Sequence, residues 1–258
     1  MAGRKDVLQR DLRRLEEALQ RVVDRAGEED IHDARIAARK AHATLRLLRP
    51  ADGSRRLRRA DRALRELRRE LGSARDLDVA LLTLKEPEHV AVRALLGDEL
   101  MQRAERARRK LPRRVRARGD IALHAVGALR GRDLASTRVA GKRLRQKAGD
   151  VVDAAQRLAS RRTWKRLHNL RKRLRELRYQ LKTAEKLGLT TQRPGRDEAF
   201  ASASQLLGRA MDLHILSVLL EHEDLPRAHR RRVEALARGQ RDAVAEAVAA
   251  WLRRGERA

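Results

Sequence analysis

His32, Arg35, Arg39, His42 and Arg46 stand at relative positions 0, 3, 7, 10 and 14, and His168, Arg171, Arg175, Arg178 and Lys182 repeat that spacing 136 residues later. Steps of three and four follow one face of a helix. At about 100° per residue the five side chains fall within an arc of roughly 80°, spread along roughly 21 Å of axis. Cationic or protonatable groups packed this closely, with no acid among them, repel each other. The helix gains nothing intrinsic from the stripe, so an extended anion is the natural reason for it. Arginine suits that chemistry because its planar fork makes bidentate contacts with phosphate oxygens. A neutral histidine adds one donor and no charge.

The stripe is one part of a longer repeat. Leu71-Gly72-Ser73-Ala74-Arg75-Asp76-Leu77 is matched at the same offset by Leu207-Gly208-Arg209-Ala210-Met211-Asp212-Leu213. Two blocks in constant register predict an internal duplication, with one basic stripe per half and a pseudo-twofold relation between them. Departures between the halves are local. His42 stands where the second half has Arg178, Ala43 replaces Tyr179, and Glu176 replaces Lys40. Glu176 lies four residues after Lys172, a spacing that allows an ion pair.

Elements able to position these stripes are helical throughout. Leu8, Leu12, Leu15, Leu19, Val22 and Val23 describe an amphipathic helix over about 4–26, ended by Gly27. Glu28, Glu29 and Asp30 put acid in the first turn of the next helix, which carries the first ladder and stops before Pro50. Ser54 is an N-cap for a third helix with Leu57, Leu64, Leu67 and Leu71 on one face. Pro87 begins a fourth, running to about Leu111. Residues 112–135, with Pro112, Gly119, Gly127 and Gly131, read as a connector containing a short helix. The second half repeats the plan with helices near 136–160, 163–187 and 197–222 and a last one ending near Arg254. Few alternating runs and four aromatics leave strand signals weak. The expectation is an all-α chain of two pseudo-twofold-related four-helix bundles: 1–111, the connector 112–135, and 136–258. Trp251, near the end, is expected to pack into its own bundle, with stacking on a second copy as the alternative.

Charge and composition narrow the function. The 258 residues carry 63 Lys+Arg against 36 Asp+Glu, a formal charge of +27. Such a chain attracts polyanions and repels itself. Without cysteine there is no disulfide or thiolate chemistry. With no apolar run of membrane length and no apolar N-terminal stretch, a cytoplasmic location is expected. Neither a Gly-rich phosphate loop nor a nucleophile constellation occurs, so catalysis is not expected. Metal spacing is weak: His214 with His222, or Asp76 with Asp78, are the nearest approaches, and no metal or cofactor is assigned. Asp76 and Asp212 read better as partners of arginines or of helix ends.

At the ladders the sequence resembles the CHAD domain, the conserved histidine α-helical domain. The family pattern is His-x-x-Arg followed by further basic residues on one helix, once per half, with Leu-Gly-x-x-x-Asp after each. Here these are His32 to Arg46, His168 to Lys182, and the blocks at Leu71 and Leu207. The triplet Leu177-Arg178-Tyr179 is also similar to the family's second half. The resemblance spans nearly the whole chain and implies two helical bundles around a central basic cavity that binds inorganic polyphosphate, in bacteria at polyphosphate granules. It implies as binding residues the ten ladder positions, with Lys40, Arg49, Lys172 and Tyr179 beside them. Family members can carry a triphosphate-hydrolase domain with a Glu-x-Glu-x-Lys strand. That motif is absent, so a stand-alone domain is expected.

Expected partners are thus polyphosphate, weakly bound nucleic acid and granule-associated proteins, with no membrane. A non-specific nucleoid or RNA binder is the alternative, since a charge of +27 binds any nucleic acid at low salt. A granule scaffold or adaptor is a third reading. Aromatic stacking platforms, common for single-stranded nucleic acids, have only Trp164, Tyr179, Phe200 and Trp251 to draw on. Bound polyanion would raise the pKa of His32, His42 and His168, so affinity is expected to grow below about pH 6.5.

Overall fold

A computed structural model describes residues 3–50, 54–129, 133–190, 196–221, 223 and 226–255, excluding the side chains of 73, 196–200, 254 and 255. The chain is all-α, and the described residues include no strand. Its helices are α1 (Arg4–Asp24), α2 (Glu28–Leu47), α3 (Arg55–Thr83), α4 (Val90–Gly127), α5 (Thr137–Ser160), α6 (Trp164–Lys186), α7 (Arg196–Leu220) and α8 (Arg227–Gly255), with a 3₁₀ turn at Pro87–His89 before α4. No helix among the described residues is long and apolar enough to cross a membrane.

Two compact units are each assembled from separate stretches of chain. One comprises Met1–Leu77, Gln102–Gln146 and Glu176–Gln192; the other comprises Asp78–Met101, Lys147–Arg175 and Arg193–Ala258. The first contains all of α1 and α2, which pack on each other, and the second contains the packed pair α7 and α8.

In the first unit, Val7, Leu8, Leu15, Leu19 and Val22 of α1 are buried with Ile31, Ala34, Ala38, Ala41 and Leu45 of α2. The alanines keep the inner face of α2 thin. At Gly119 of α4, an added Cβ would lie 3.0 Å from Leu19 Cδ1, so the α4 backbone passes close over α1. A buried polar chain also joins α1, α2 and α6. Thr44 donates to Asp11 Oδ2 at 2.7 Å. Thr183 Oγ1 lies 2.8 Å from the Thr44 hydroxyl and 3.1 Å from the carbonyl of Tyr179. Lys186 Nζ stands 3.5 Å from Asp11 Oδ1. In the second unit, Leu207, Ala210, Leu213 and Leu216 of α7 are buried, as are Val233, Ala237 and Val244 of α8.

Helix ends follow local chemistry. Ser54 caps α3 as expected, accepting from Leu57 N at 3.3 Å. The end of α6 is a Schellman motif: Gly188 has φ 67°, Leu189 N bonds Ala184 O at 2.9 Å, and Gly188 N bonds Glu185 O at 3.0 Å. The end of α1 departs from expectation. Ala26, not Gly27, takes the left-handed conformation, with φ 50°, while Gly27 becomes the N-cap of α2.

The largest departure is α4, which runs through Pro112 to Gly127, where the sequence suggested a helix ending at Leu111 and then a connector. An interior proline costs about 3 kcal/mol. Leu111, Val115, Ala122 and Val126 continue the apolar stripe past it, and all four are buried. Burying a Val or Leu side chain contributes about 1.5–3 kcal/mol, so the stripe outweighs the lost hydrogen bond.

Candidate functional site

The first unit holds the whole first ladder on α2, together with Arg178, Tyr179 and Lys182 from the last turns of α6. His32 is exposed; Arg35, Arg39, Lys40, Arg46, Arg49, Arg178, Tyr179 and Lys182 are half-buried. His42 is different. It is 4% exposed and lies beneath the stripe rather than on it.

Its surroundings explain why. Nε2 is 2.8 Å from Asp61 Oδ1 and Nδ1 is 2.7 Å from Arg68 Nη1, both partners coming from α3. A guanidinium can only donate, so Nδ1 must accept and Nε2 must carry the proton given to Asp61. Burial, reinforced by Arg68 and Arg46 and opposed by Asp61, holds the His42 pKa below the ordinary value. The direction is firm, since protonating Nδ1 would abolish the bond accepted from Arg68. The hydrogen bond from His42, against the opposing effect of burial, keeps the Asp61 carboxyl below its usual range. Arg65, one turn along α3, adds a contact to Asp61 Oδ2 at 2.7 Å.

His42 thus holds Arg68 in place and has no ring nitrogen left for an anion. Arg68 takes over the cationic role that the sequence reading gave to position 10 of the ladder. Its guanidinium pKa is depressed by burial first; nearby Glu176 and Tyr179 oppose the shift, and Arg35 and Arg46 add to it. His32 is also held below its ordinary value, by burial and then by Arg75 and Arg39, with Asp33 opposing and Arg35 reinforcing. Six groups from two helices therefore share one electrostatic neighbourhood: His32, Arg35, Arg39, Arg46, Arg68 and Arg75.

Acids in this neighbourhood orient the arginines. Arg46 Nη1 lies 3.1 Å from both oxygens of Glu176, while Gln180 donates to the same carboxylate at 3.3 Å. Glu176 therefore serves the opposing ladder helix; the suggested partner Lys172 is exposed on α6. Arg75 meets Glu28 at 2.9 Å. Lys40 belongs to another group, around the buried Asp11, with Arg14, Lys182 and Lys186. Arg49 contributes backbone: its carbonyl and those of Arg46 and Leu47 accept from Arg143 Nη1, the latter two at 3.2 and 3.3 Å. Arg143 so caps the negative end of α2.

The second unit holds His168, Arg171, Lys172 and Arg175. Arg171 Nη2 stands 3.5 Å from Asp212 Oδ1, and in the first unit Arg35 Nη1 stands 3.5 Å from Asp76 Oδ1. These are the same two positions of the sequence repeat, paired in the same way. Both distances exceed the roughly 2.7–2.9 Å of a tight charge-assisted bond. The acids orient the forks without saturating five N–H donors each. Moreover, the Nε atoms of Arg171 and Arg178 are buried with no hydrogen-bond partner among the described residues. His214 is stacked on Trp164, with centroids 4.2 Å apart and planes 2° from parallel, and Arg241 lies 5.5 Å from the same Trp ring centre. His214 thus covers a face of Trp164; His222 lies outside the described residues. Trp251 is 49% exposed, rather than packed into a core.

Arg68 is the cation that the sequence reading missed. Asp61 and Arg68 stand seven residues apart on the apolar side of α3, and an acid among Leu57, Leu64 and Leu67 was the available signal.

No curated protein gives a significant match to the chain. A solved structure described as the CHAD domain from the plant Ricinus communis superposes with a TM-score of 0.63 at 20% identity, covering 96% of this chain and 90% of that one. At that identity the likeness speaks for the fold. The CHAD domain family profile matches residues 6–221, and the chain belongs to the CHAD domain family.

Proposed function

We propose that this protein binds inorganic polyphosphate through its two His/Arg ladders, retaining the polymer without cleaving it, at polyphosphate granules in the cytoplasm. The observation that carries the reading is a concentration of guanidinium groups kept together against their own repulsion. Arg35, Arg39, Arg46, Arg68 and Arg75 lie close enough to depress His32 and Arg68, directly or through one another. The buried Nε donors of Arg171 and Arg178 have no acceptor among the described residues, and buried polar groups are nearly always matched. A chain of phosphates supplies closely spaced acceptors without bases that need stacking. The equivalent Arg35–Asp76 and Arg171–Asp212 pairs support a duplicated receptor with one stripe per repeat.

The test is a competition titration at about 0.15 M salt, where charges separated by more than about 8 Å are screened. Labelled long-chain polyphosphate is displaced by duplex DNA, for wild type and for Arg171→Ala/Arg175→Ala/Arg178→Ala. Preference for polyphosphate by orders of magnitude, lost in the variant, is the expected result. Equal competition by DNA, with both ligands weakened alike in the variant, would make the protein a general polyanion binder.

Proton linkage is now assigned differently. His42 is buried and committed, so in the first ladder the gain in affinity at lower pH falls to His32. Bound polyphosphate favours protonated His32, whereas the free protein disfavours it. Affinity should rise as pH falls through about 6.5 and level off below the depressed pKa of the free site. Dissociation constants at pH 7.5 and 5.5 should show a smaller gain for His32→Gln than for wild type. An unchanged gain would assign the proton elsewhere.

A further inference from the structure

The turn between α3 and α4 carries Glu86-Pro87-Glu88-His89. One ligand atom from each of Glu86, Glu88 and His89 lies within 4.8 Å of the others. The tight 3₁₀ turn closes with His89 N donating to Glu86 O at 3.0 Å, which brings the three side chains to one side.

His89 supplies an independent observation. It is 1% exposed, and neither Nδ1 nor Nε2 has a hydrogen-bond partner among the described residues. A buried imidazole normally finds at least one partner. Burial depresses its pKa, against the opposing pull of Glu88 and Glu86 and with help from Arg232 and Arg209. A neutral imidazole has a lone pair to give to a metal ion. Across the carboxylates, the exposed head of Arg209 stands 3.5 Å from Glu86 Oε2 and from Glu88 Oε1. That contact is loose.

We propose that Glu86, Glu88 and His89 form a binding site for a divalent transition-metal ion, with the His89 nitrogen as its inner ligand and the two carboxylates closing it from outside. One imidazole with two carboxylates and no thiolate favours Zn²⁺, Fe²⁺ or Mn²⁺ over Ca²⁺ or Mg²⁺, which prefer oxygen throughout. Of these the affinity order puts Zn²⁺ first. Ligand atoms must draw in to about 2.0–2.2 Å from the ion. Rotation of two partly exposed carboxylates achieves this while the buried ring stays in place and Arg209 swings out. Water completes the coordination. The sequence reading passed over this site because its ligands are gathered by a turn, not by helical spacing.

The probe is Zn²⁺ alone, titrated into the chelator-treated full chain in phosphate-free buffer against a chromophoric chelator. Co²⁺ absorption reports nitrogen ligation in parallel. Wild type should bind one equivalent at this site. Loss even of groups that only support a ligand weakens metal sites by about 10–100-fold, so Glu88→Gln should weaken binding at least about tenfold and His89→Gln should abolish the Co²⁺ band. Arg209→Met, which removes the competing cation, should tighten it. Wild-type affinity in both Glu88→Gln and His89→Gln, or no equivalent bound by wild type, overturns the proposal. Should His89→Gln fold poorly, Glu88→Gln and Glu86→Gln, whose side chains are partly exposed, decide it.

Discussion

Asp61→Ala should destabilise the first unit by about 3 kcal/mol, read from urea unfolding at pH 7.5. The change leaves the Nε2–H of His42 buried without an acceptor, which costs about 1–3 kcal/mol. It also removes the carboxylate that anchors His42 and contacts Arg65, and breaking a buried charged network by removing one member costs about 3–5 kcal/mol. Exposure of the two residues, 4% for His42 and 8% for Asp61, gives water little chance to compensate. Asp61→Asn keeps an acceptor oxygen and should recover part of the loss. Wild type should also lose stability in acid, in two stages. The folded pKa of His42 is depressed, so the unfolded chain takes up the proton first and stability falls as pH drops below about 6.5. The folded pKa of Asp61 is depressed as well, so its contribution is present above the ordinary carboxylate value and lost as pH falls through the lower folded one. His42→Leu should shrink the upper stage, leaving the shares of His32 and His89, whose folded pKa values are also depressed, and leave the lower range to the other acids. A loss below about 1 kcal/mol for Asp61→Ala would mean that His42 and Arg68 find other partners, and the relay would then be incidental.

Much of this architecture was legible because helices announce themselves by spacing. Leucines and valines at three and four placed α1, α3 and the ladder helices, and Ser54 marked where α3 begins. Two boundaries were misread for opposite reasons. Pro112 is a strong local stop that tertiary burial of Val115 and Val126 overrides. Ala26 gives no local sign of a left-handed residue, so the sequence places the end of α1 at Gly27 and not before Ala26. The site divides along the same line. Spacing on a single helix found the arginines of α2 and α6, since one helix fixes their common face. It could not say which of them α3 would cover. His42 fits the stripe by angle, yet packing of Asp61 and Arg68 makes it a buried support. Glu176 is likewise committed across helices to Arg46, a pairing between distant parts of the chain that no local periodicity encodes.

Placement, as opposed to quantity, of charge can be separated by two variants that change the net charge equally. Arg35→Gln/Arg39→Gln/Arg46→Gln/Arg68→Gln removes four guanidinium groups from the proposed polyphosphate site. Arg106→Gln/Arg109→Gln/Arg113→Gln/Arg116→Gln removes four exposed ones from α4, in the same unit. Each charge-assisted hydrogen bond contributes about 1.5–3 kcal/mol. Even at the low end, four of them correspond to more than a thousandfold in affinity, since about 1.4 kcal/mol is tenfold. Glutamine can still donate, so some contact survives, and about a thousandfold loss at 0.15 M salt is the expected value for the ladder variant. Its salt dependence should flatten too. With about 0.7 counterions released per neutralised phosphate on a single strand, four lost contacts reduce the log–log slope by about 3. The α4 variant should lose less than about tenfold, through weakened long-range attraction that salt screens. Equal losses in the two variants would show that +27, and not the ladder, does the binding. A loss confined to the ladder variant, with the flattened slope, requires contact between those guanidiniums and the phosphates, because both proteins approach the polymer with the same net charge.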